Sequence, residues 1–376
     1  MTQVRDLRRA QAAPFSILCE VLGAGSVGRQ ERAADLAAGR ADWGDVFIAA
    51  GASLVTPTLA GVMSRMRLSE TLSAEEYDYL DAIRVLNWRR NEALQAELGR
   101  IVAALNRIDV RPILLKGAIA LTPGQYPGAE DRVIGDLDLL VPRDRLESCI
   151  EALAAMGYAP DDSPRRMLAR DLRNMHHAPA LLHPSLPVTV ELHHRFLFDA
   201  DDSALLAAGV RPREVTLENG AAALLPDPAT RLLHNMLHAQ VSNEQALTRA
   251  LDLRQLLEFA ALAHFYAGDL DPEELTRRLR QDRHRLLSEY WALAERWLGL
   301  PYPDGLPRSR RERRELWLFE IIATKPAAFR FAMGAHALAK LPRRLANLIV
   351  RLWDNPAYFS DRLRDWFRKP DGGRTD

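Results

Sequence analysis

The chain has 376 residues, 48% of them apolar and 27% charged, a balance ordinary for a folded soluble protein and room for two or three packed units. Lys plus Arg equals Asp plus Glu at 50 each, so a chain-wide polyanion-binding charge is excluded. Cys19 and Cys149 make neither a disulfide framework nor a metal pattern and fit a reducing cytoplasm, and no stretch approaches the roughly 20 apolar residues needed to span a bilayer.

At the N-terminus, Arg5, Arg8 and Arg9 precede a short apolar run from Phe15 to Leu22. Glu20 interrupts the run, so an amphipathic helix is the reading, not an export signal. Residues 1–108 read as helical, with apolar spacing of three and four over 14–22, 29–39, 45–50, 54–67 and 74–106. Ser73-Ala-Glu-Glu76 has capping-box spacing and predicts the start of a long helix. Gly23-Ala-Gly25-Ser-Val-Gly28 matches the dinucleotide fingerprint, which also requires a strand before it and an acid at a second strand end. Asp42 and Asp45 stand beside a helix start instead, so the glycines are read as a loop between helices.

Residues 109–225 change character. Val110 to Leu115 reads as a strand that breaks at Lys116-Gly117 into a helix, followed by a Pro- and Gly-rich loop over 122–131. On the strand 134–141, alternation puts Asp136 and Asp138 on one face and Leu137, Leu139 and Val141 on the other. Two carboxylates so placed repel unless a cation sits between them, and Mg²⁺ is the hard ion that combines carboxylates with substrate phosphates. A lysine and the free amides at Lys116-Gly117 suit a phosphate chain. Residues 143–156 read as a helix ended by Gly157. His177 to Leu182 and Val188 to His194 read as a hairpin around His183-Pro-Ser-Leu-Pro187, with Glu191 and His193 on one face and His194 turned away. His176, His177 and His183 are possible lining, and no H-E-x-x-H or cysteine pair supports zinc. From Asp227-Pro228 the chain reads as helices over 228–241, 243–264, 271–298 and 309–323. His234 and His238 lie one turn apart on a core-facing helix.

Leu115-Lys116-Gly117, Arg132, Asp136-Leu-Asp138-Leu-Leu-Val141 and Val190-Glu191-Leu-His193 together resemble the uncharacterised bacterial nucleotidyltransferase family of the polymerase-β-like superfamily. Trp43 to Pro57, Asn91 to Leu105, Gly157-Tyr158 and Leu251-Asp252-Leu-Arg-Gln-Leu-Leu257 follow in the same order, so the resemblance runs to about residue 260. It implies a metal site of three carboxylates, Asp136, Asp138 and Glu191, holding two Mg²⁺ ions that clamp an in-line phosphoryl displacement. Lys116 and Gly117 take the place where the superfamily has Gly-Ser against the triphosphate, and Ala118 supplies no hydroxyl. Arg132 is expected at the γ-phosphate or in an ion pair with Asp131 or Glu130. His193 is expected as a partner of Glu191, a base or an acceptor contact, with a purely structural histidine as the alternative, and Asp252 either ties the helical region to the site, binds substrate or pairs with Arg249.

The expected fold is α+β, a small mixed-sheet nucleotidyltransferase core (109–225) embedded between N-terminal (1–108) and C-terminal (226–369) helical regions, with a disordered tail at 370–376. The expected activity is cytoplasmic, Mg²⁺-dependent transfer of a nucleoside monophosphate from an NTP, ATP foremost, to a peptide, metabolite or other small acceptor. A catalytically silent nucleotide-binding regulator on the same fold is the first rival. The second is a helical scaffold whose end binds nucleic acid or an anionic membrane, because 308–369 holds fifteen basic against six acidic residues with aromatics interleaved. A solvated basic face on capping helices is the preferred account of that segment.

Overall fold

Ser73 starts the longest helix by the predicted box: its side chain takes the Glu76 amide while Glu76 reaches back to the Ser73 amide at 2.8 Å. The computed structural model describes residues 14–25, 42–160, 175–185 and 188–340. The helices before the sheet are α1 (residues 14–25), α2 (Trp43–Ala52), α3 (Thr56–Arg65) and α4 (Ala74–Asn106). Helix 29–39, Gly28, the tail 370–376 and the end of the basic segment lie outside the described residues.

The glycine-rich stretch differs from its reading as a loop. Gly23 and Gly25 are the last turn of α1, and Ile17 to Leu22 directly before them is helix, not strand. A Cβ on Gly23 would lie 2.3 Å from the Leu298 carbonyl oxygen, and one on Gly25 would lie 2.6 Å from Val62 side-chain carbons. The glycines let helices touch.

The sheet comprises β1 (Ile113–Leu115), β2 (Asp136–Leu140), β3 (Ala159–Pro160), β4 (Leu181–Leu182), β5 (Thr189–His193), β6 (Arg213–Thr216) and β7 (Ala222–Leu225). Their order is β3-β4-β5-β2-β1-β7-β6. At its centre β2 runs parallel to β5 and antiparallel to β1, with Asp138 opposite both Glu191 and Leu115. Alternation then divides the faces. Leu137, Leu139, Val190 and Leu192 are fully buried with Leu98, Ile101 and Val102 of α4. Helix α6 (Leu146–Ala154) closes the same layer through Cys149 and Leu153, and Gly157 follows at φ +96°. Asp138, Glu191 and His193 occupy the other face. The predicted hairpin forms with Leu181 opposite Val190.

Strands β3, β6 and β7 add to the expected set. Helix α5 (Lys116–Ala120) follows β1, and α7 (Ala200–Gly209) follows β5. Beyond the sheet come α8 (Pro228–Leu237), α9 (Gln245–Thr248), α10 (Leu253–Phe265), α11 (Pro272–Arg277), α12 (Gln281–Leu298), α13 (Glu312–Thr324) and α14 (Pro326–Ala339). The expected helix 243–264 is broken at Arg249, which is left-handed at φ +55°, and restarts at the Asp252 cap. Likewise 271–298 is two helices, divided where Arg280 turns extended. The architecture is α+β, as expected. Leu18, Leu22, Val46, Leu59 and Met63 of the leading helices share one apolar core with Leu233, Phe259, Leu287 and Leu293 of the trailing ones. No helix among the described residues is long and apolar enough to cross a membrane.

Candidate active site

Asp138 sits at the middle of β2 with no exposed surface. Lys116, the residue that leaves β1, places Nζ 2.8 Å from its Oδ1, and His193 places Nε2 2.7 Å from the same oxygen. Glu191 Oε2 lies 3.5 Å from that imidazole nitrogen and 4.0 Å from His177 Nε2. Burial alone would push the Asp138 carboxyl up, yet the Lys116 ammonium and the His193 bond outweigh it and hold Asp138 well below the usual carboxylate range. Burial likewise opposes charge on His193, but its bonds to Asp138 and Glu191 prevail and raise it. Burial opposes charge on Glu191 too, and the His193 bond brings it below its ordinary value. Asp136 goes the other way, raised by burial and by Asp138 beside it.

Asp138, Glu191 and His193 each bring a donor atom within 4.8 Å of the others, a group able to hold a metal ion. Asp136, half-buried on the same face, is outside that group and lines a neighbouring cleft. The structure therefore brings together two of the three expected carboxylates and adds His193 to them. Asp138 Oδ2 is buried without a hydrogen-bond partner among the described residues.

Lys116 links this cluster to the cleft between the sheet and helices α8 and α10. Its backbone is left-handed at φ +44°, a costly conformation for a residue with a long side chain. Gly117 lets this turn press against the entry to β2, since a Cβ there would lie 3.0 Å from Ile134 Cγ2. Arg132 pairs with neither Asp131 nor Glu130. It reaches Glu258 of α10 at 2.9 Å, and its Nε and Nη1 stay buried and unpartnered among the described residues. Asp131 is instead held by Arg65 at 2.6 Å and Arg84 at 3.0 Å, while Asn91 donates to the Arg132 carbonyl at 2.9 Å. Helices α3 and α4 thus fix the loop that aims Arg132.

Two cations of the cleft were not singled out by sequence reasoning. Arg231 of α8 donates to Gln125 Oε1 at 3.0 Å and to the Tyr266 hydroxyl at 3.1 Å, and its Nε is buried without a partner among the described residues. Arg254 of α10 also keeps a buried Nε that has no partner among the described residues. Guanidinium donors without acceptors are costly and suit an anionic guest. Arg254 had a faint signal, standing within the Leu251-to-Leu257 match; Arg231 had none. His234 and His238 line the same cleft, and burial lowers both, His234 to about 3, so both stay neutral at ordinary pH. His234 Nε2 lies 3.0 Å from the Phe196 carbonyl oxygen, and His238 Nδ1 lies 2.8 Å from Gln255 Nε2.

Asp252 is placed away from the cleft lining. It caps α10, its Oδ1 accepting from the Gln255 amide at 3.2 Å, and so sets the helix that carries Arg254 and Glu258. The alternative pairing with Arg249 is corrected: Arg249 reaches Glu315 at 2.9 Å. His176 packs 5.1 Å from His193, ring to ring, and burial lowers it to about 3.

A family model described as an uncharacterised nucleotidyltransferase matches residues 39–299 of the chain. No curated protein and no solved structure matches it.

Proposed function

Since the chain belongs to the uncharacterised nucleotidyltransferase family, we propose that it moves a nucleoside monophosphate from an NTP to an acceptor nucleophile and releases pyrophosphate. One observation carries this reading: a buried carboxylate cluster adjoins a cleft in which Arg132, Arg231 and Arg254 each keep a buried guanidinium donor without an acceptor among the described residues, and Lys116 belongs to both. Cations along the cleft suit a triphosphate, and the cluster suits the divalent ions that phosphoryl transfer uses.

The residues fit such an ion, because Asp138 keeps a buried, unsatisfied oxygen and Glu191 and His193 complete a compact donor set. Asp138, Glu191 and His193 would hold one ion, and Asp136 with Asp138 a second. When bound, divalent ions polarise the acceptor oxygen and offset charge on the departing pyrophosphate. Lys116 and Arg132 set the phosphates from the sheet side, and Arg231 and Arg254 from the helical side. Gly117 lets the backbone come close to them. The acceptor atom bonds to the α-phosphorus as the α–β bridging P–O bond breaks, pyrophosphate leaves with that electron pair, and the acceptor's proton passes to water. Glu191, held below its ordinary pKa, is better suited to a cation than to the acceptor's proton. ATP is the nucleotide to try first, with a peptide, metabolite or other small molecule as acceptor.

The test is incubation of the purified protein with each α-labelled NTP, Mg²⁺ or Mn²⁺, and lysate, following label on acceptors and pyrophosphate in solution. Asp138→Asn is expected to lower transfer by about 1,000-fold, roughly 4 kcal/mol of barrier. NTP binding without pyrophosphate release, unchanged by that substitution, would instead identify a catalytically silent regulator.

A further inference from the structure

We infer that Asp138, Glu191 and His193 build a mixed nitrogen–oxygen site that takes a first-row transition ion in preference to Mg²⁺. The inference deepens the transferase reading and rests on it for the ion's part in the reaction. Its support is the donor set. Nε2 of His193 lies 2.7 Å from Asp138 Oδ1 and 3.5 Å from Glu191 Oε2. Neighbouring ligands on a six-coordinate ion with bonds of about 2.1 Å stand roughly 3 Å apart, so the three need little movement to close on one ion. Two of the three, Asp138 and His193, have no exposed surface, and burial fixes their direction.

One further feature points to a cation. Asp138 Oδ2 is buried and unpartnered among the described residues, although Lys116 and His193 already crowd Oδ1. A fully buried carboxylate oxygen left bare costs free energy that a bound ion would recover. The nitrogen then decides the kind of ion. Mg²⁺ prefers oxygen ligands and gives up its waters reluctantly, whereas imidazole suits the later first-row metals. A set of two carboxylates and one imidazole therefore discriminates against Mg²⁺ at this position. Asp136, placed outside the group and lining the cleft, remains an all-oxygen contact for an ion that travels with the nucleotide.

The experiment uses the full chain without nucleotide. Mn²⁺ is titrated in and followed by loss of its free six-line electron paramagnetic resonance signal, and spin-echo modulation then reports nitrogen coupled to the bound ion. Wild type is expected to show ¹⁴N modulation, to hold Mn²⁺ against about 100-fold excess Mg²⁺, and to release it to nearly equimolar Zn²⁺. His193→Ala should lose the modulation and bind Mn²⁺ at least about tenfold more weakly, as expected for a missing ligand. Glu191→Gln should weaken binding and keep the modulation, which shows the imidazole still in place in a folded chain. Bound Mn²⁺ without nitrogen coupling, displacement by Mg²⁺ at parity, or no bound Mn²⁺ would each overturn the inference. Nitrogen-coupled Mn²⁺ in a protein that releases no pyrophosphate would sink the transferase reading alone. Transfer with Mg²⁺ and no nitrogen-coupled Mn²⁺ would sink this inference alone.

Discussion

A carboxylate shut away from water survives as an anion only when positive charge is delivered to it, and Asp138 receives that charge from Lys116. Removing one partner of such a pair leaves a buried charge without compensation. Lys116→Met is therefore expected to lower the unfolding free energy in urea by about 3 kcal/mol, and adding Asp138→Asn in the same chain should restore much of it. Arg254 calls for a different outcome. Its guanidinium lines the cleft away from the carboxylate cluster, so Arg254→Ala should raise the KM for NTP about tenfold with kcat little changed, read by steady-state pyrophosphate release. At this scale the sequence showed the sheet half of the site. Asp138, Glu191 and His193 were legible because strand alternation fixes which side chains share a face. Arg231 and Arg254 were not, because their role comes from helices folding back over the sheet, which no local spacing encodes. The partner of Arg132 was hidden for the same reason, since Glu258 lies on a helix far along the chain.

Helices α3 and α4 earn their place through one loop. Asp131, buried, is gripped by Arg65 and Arg84; Asn91 holds the Glu130 and Arg132 carbonyls on either side of it, and Asn87 donates to the Asp131 and Arg132 carbonyls. Gly61 makes room, because a Cβ there would fall 1.8 Å from Asp131 Oδ2. Gly61→Ala should therefore lower the melting temperature and also raise the KM for NTP by displacing Arg132, although Gly61 touches no part of the cleft. A change in melting temperature with unaltered KM would show that the loop does not aim Arg132. Elements with strong local signals were found: the Ser73 box, the apolar alternation of β2 and β5, and the Gly157 stop. Strands β6 and β7 escaped because each is only four residues long and Ala222-Ala-Leu-Leu225 has no β-branched residue, so pairing with the rest of the sheet defines them. The helix breaks at Arg249 and Arg280 escaped because apolar periodicity continues across them.

Across the molecule, Asp227 fastens the end of the sheet to the helices. It caps α8 through the Thr230 amide at 3.1 Å, accepts from the Arg211 amide at 2.9 Å and pairs with Arg278 at 2.9 Å. Burial would raise its pKa, but the Arg211 and Thr230 bonds together with the Arg278 charge lower it below the ordinary value. A carboxylate depressed in the folded state gives stability that is fully present above its unfolded pKa, near 4, and is lost as pH falls through the lower folded value. The urea midpoint should accordingly fall as the solution is acidified below about pH 4, and Asp227→Asn should flatten that fall while costing about 1–2 kcal/mol at neutral pH. A variant with the same acid slope as the wild type would remove Asp227 from the account. The α+β class was legible from the change of pattern near residue 109, whereas the shared core of leading and trailing helices was not, because it joins segments with the whole sheet between them.

That union has a cost during synthesis. Gly23 closes against Leu298, and the Phe15 ring meets Trp297 at 5.2 Å, so the seat for α1 is complete only once residue 298 has been translated. At about 5–20 residues per second, the apolar stripe of Leu18 and Leu22 waits on the order of tens of seconds outside the ribosome before its berth exists. Nascent chains arrested before residue 298 should therefore be cut by protease near this stripe and recruit holding chaperones, and chains released past it should not.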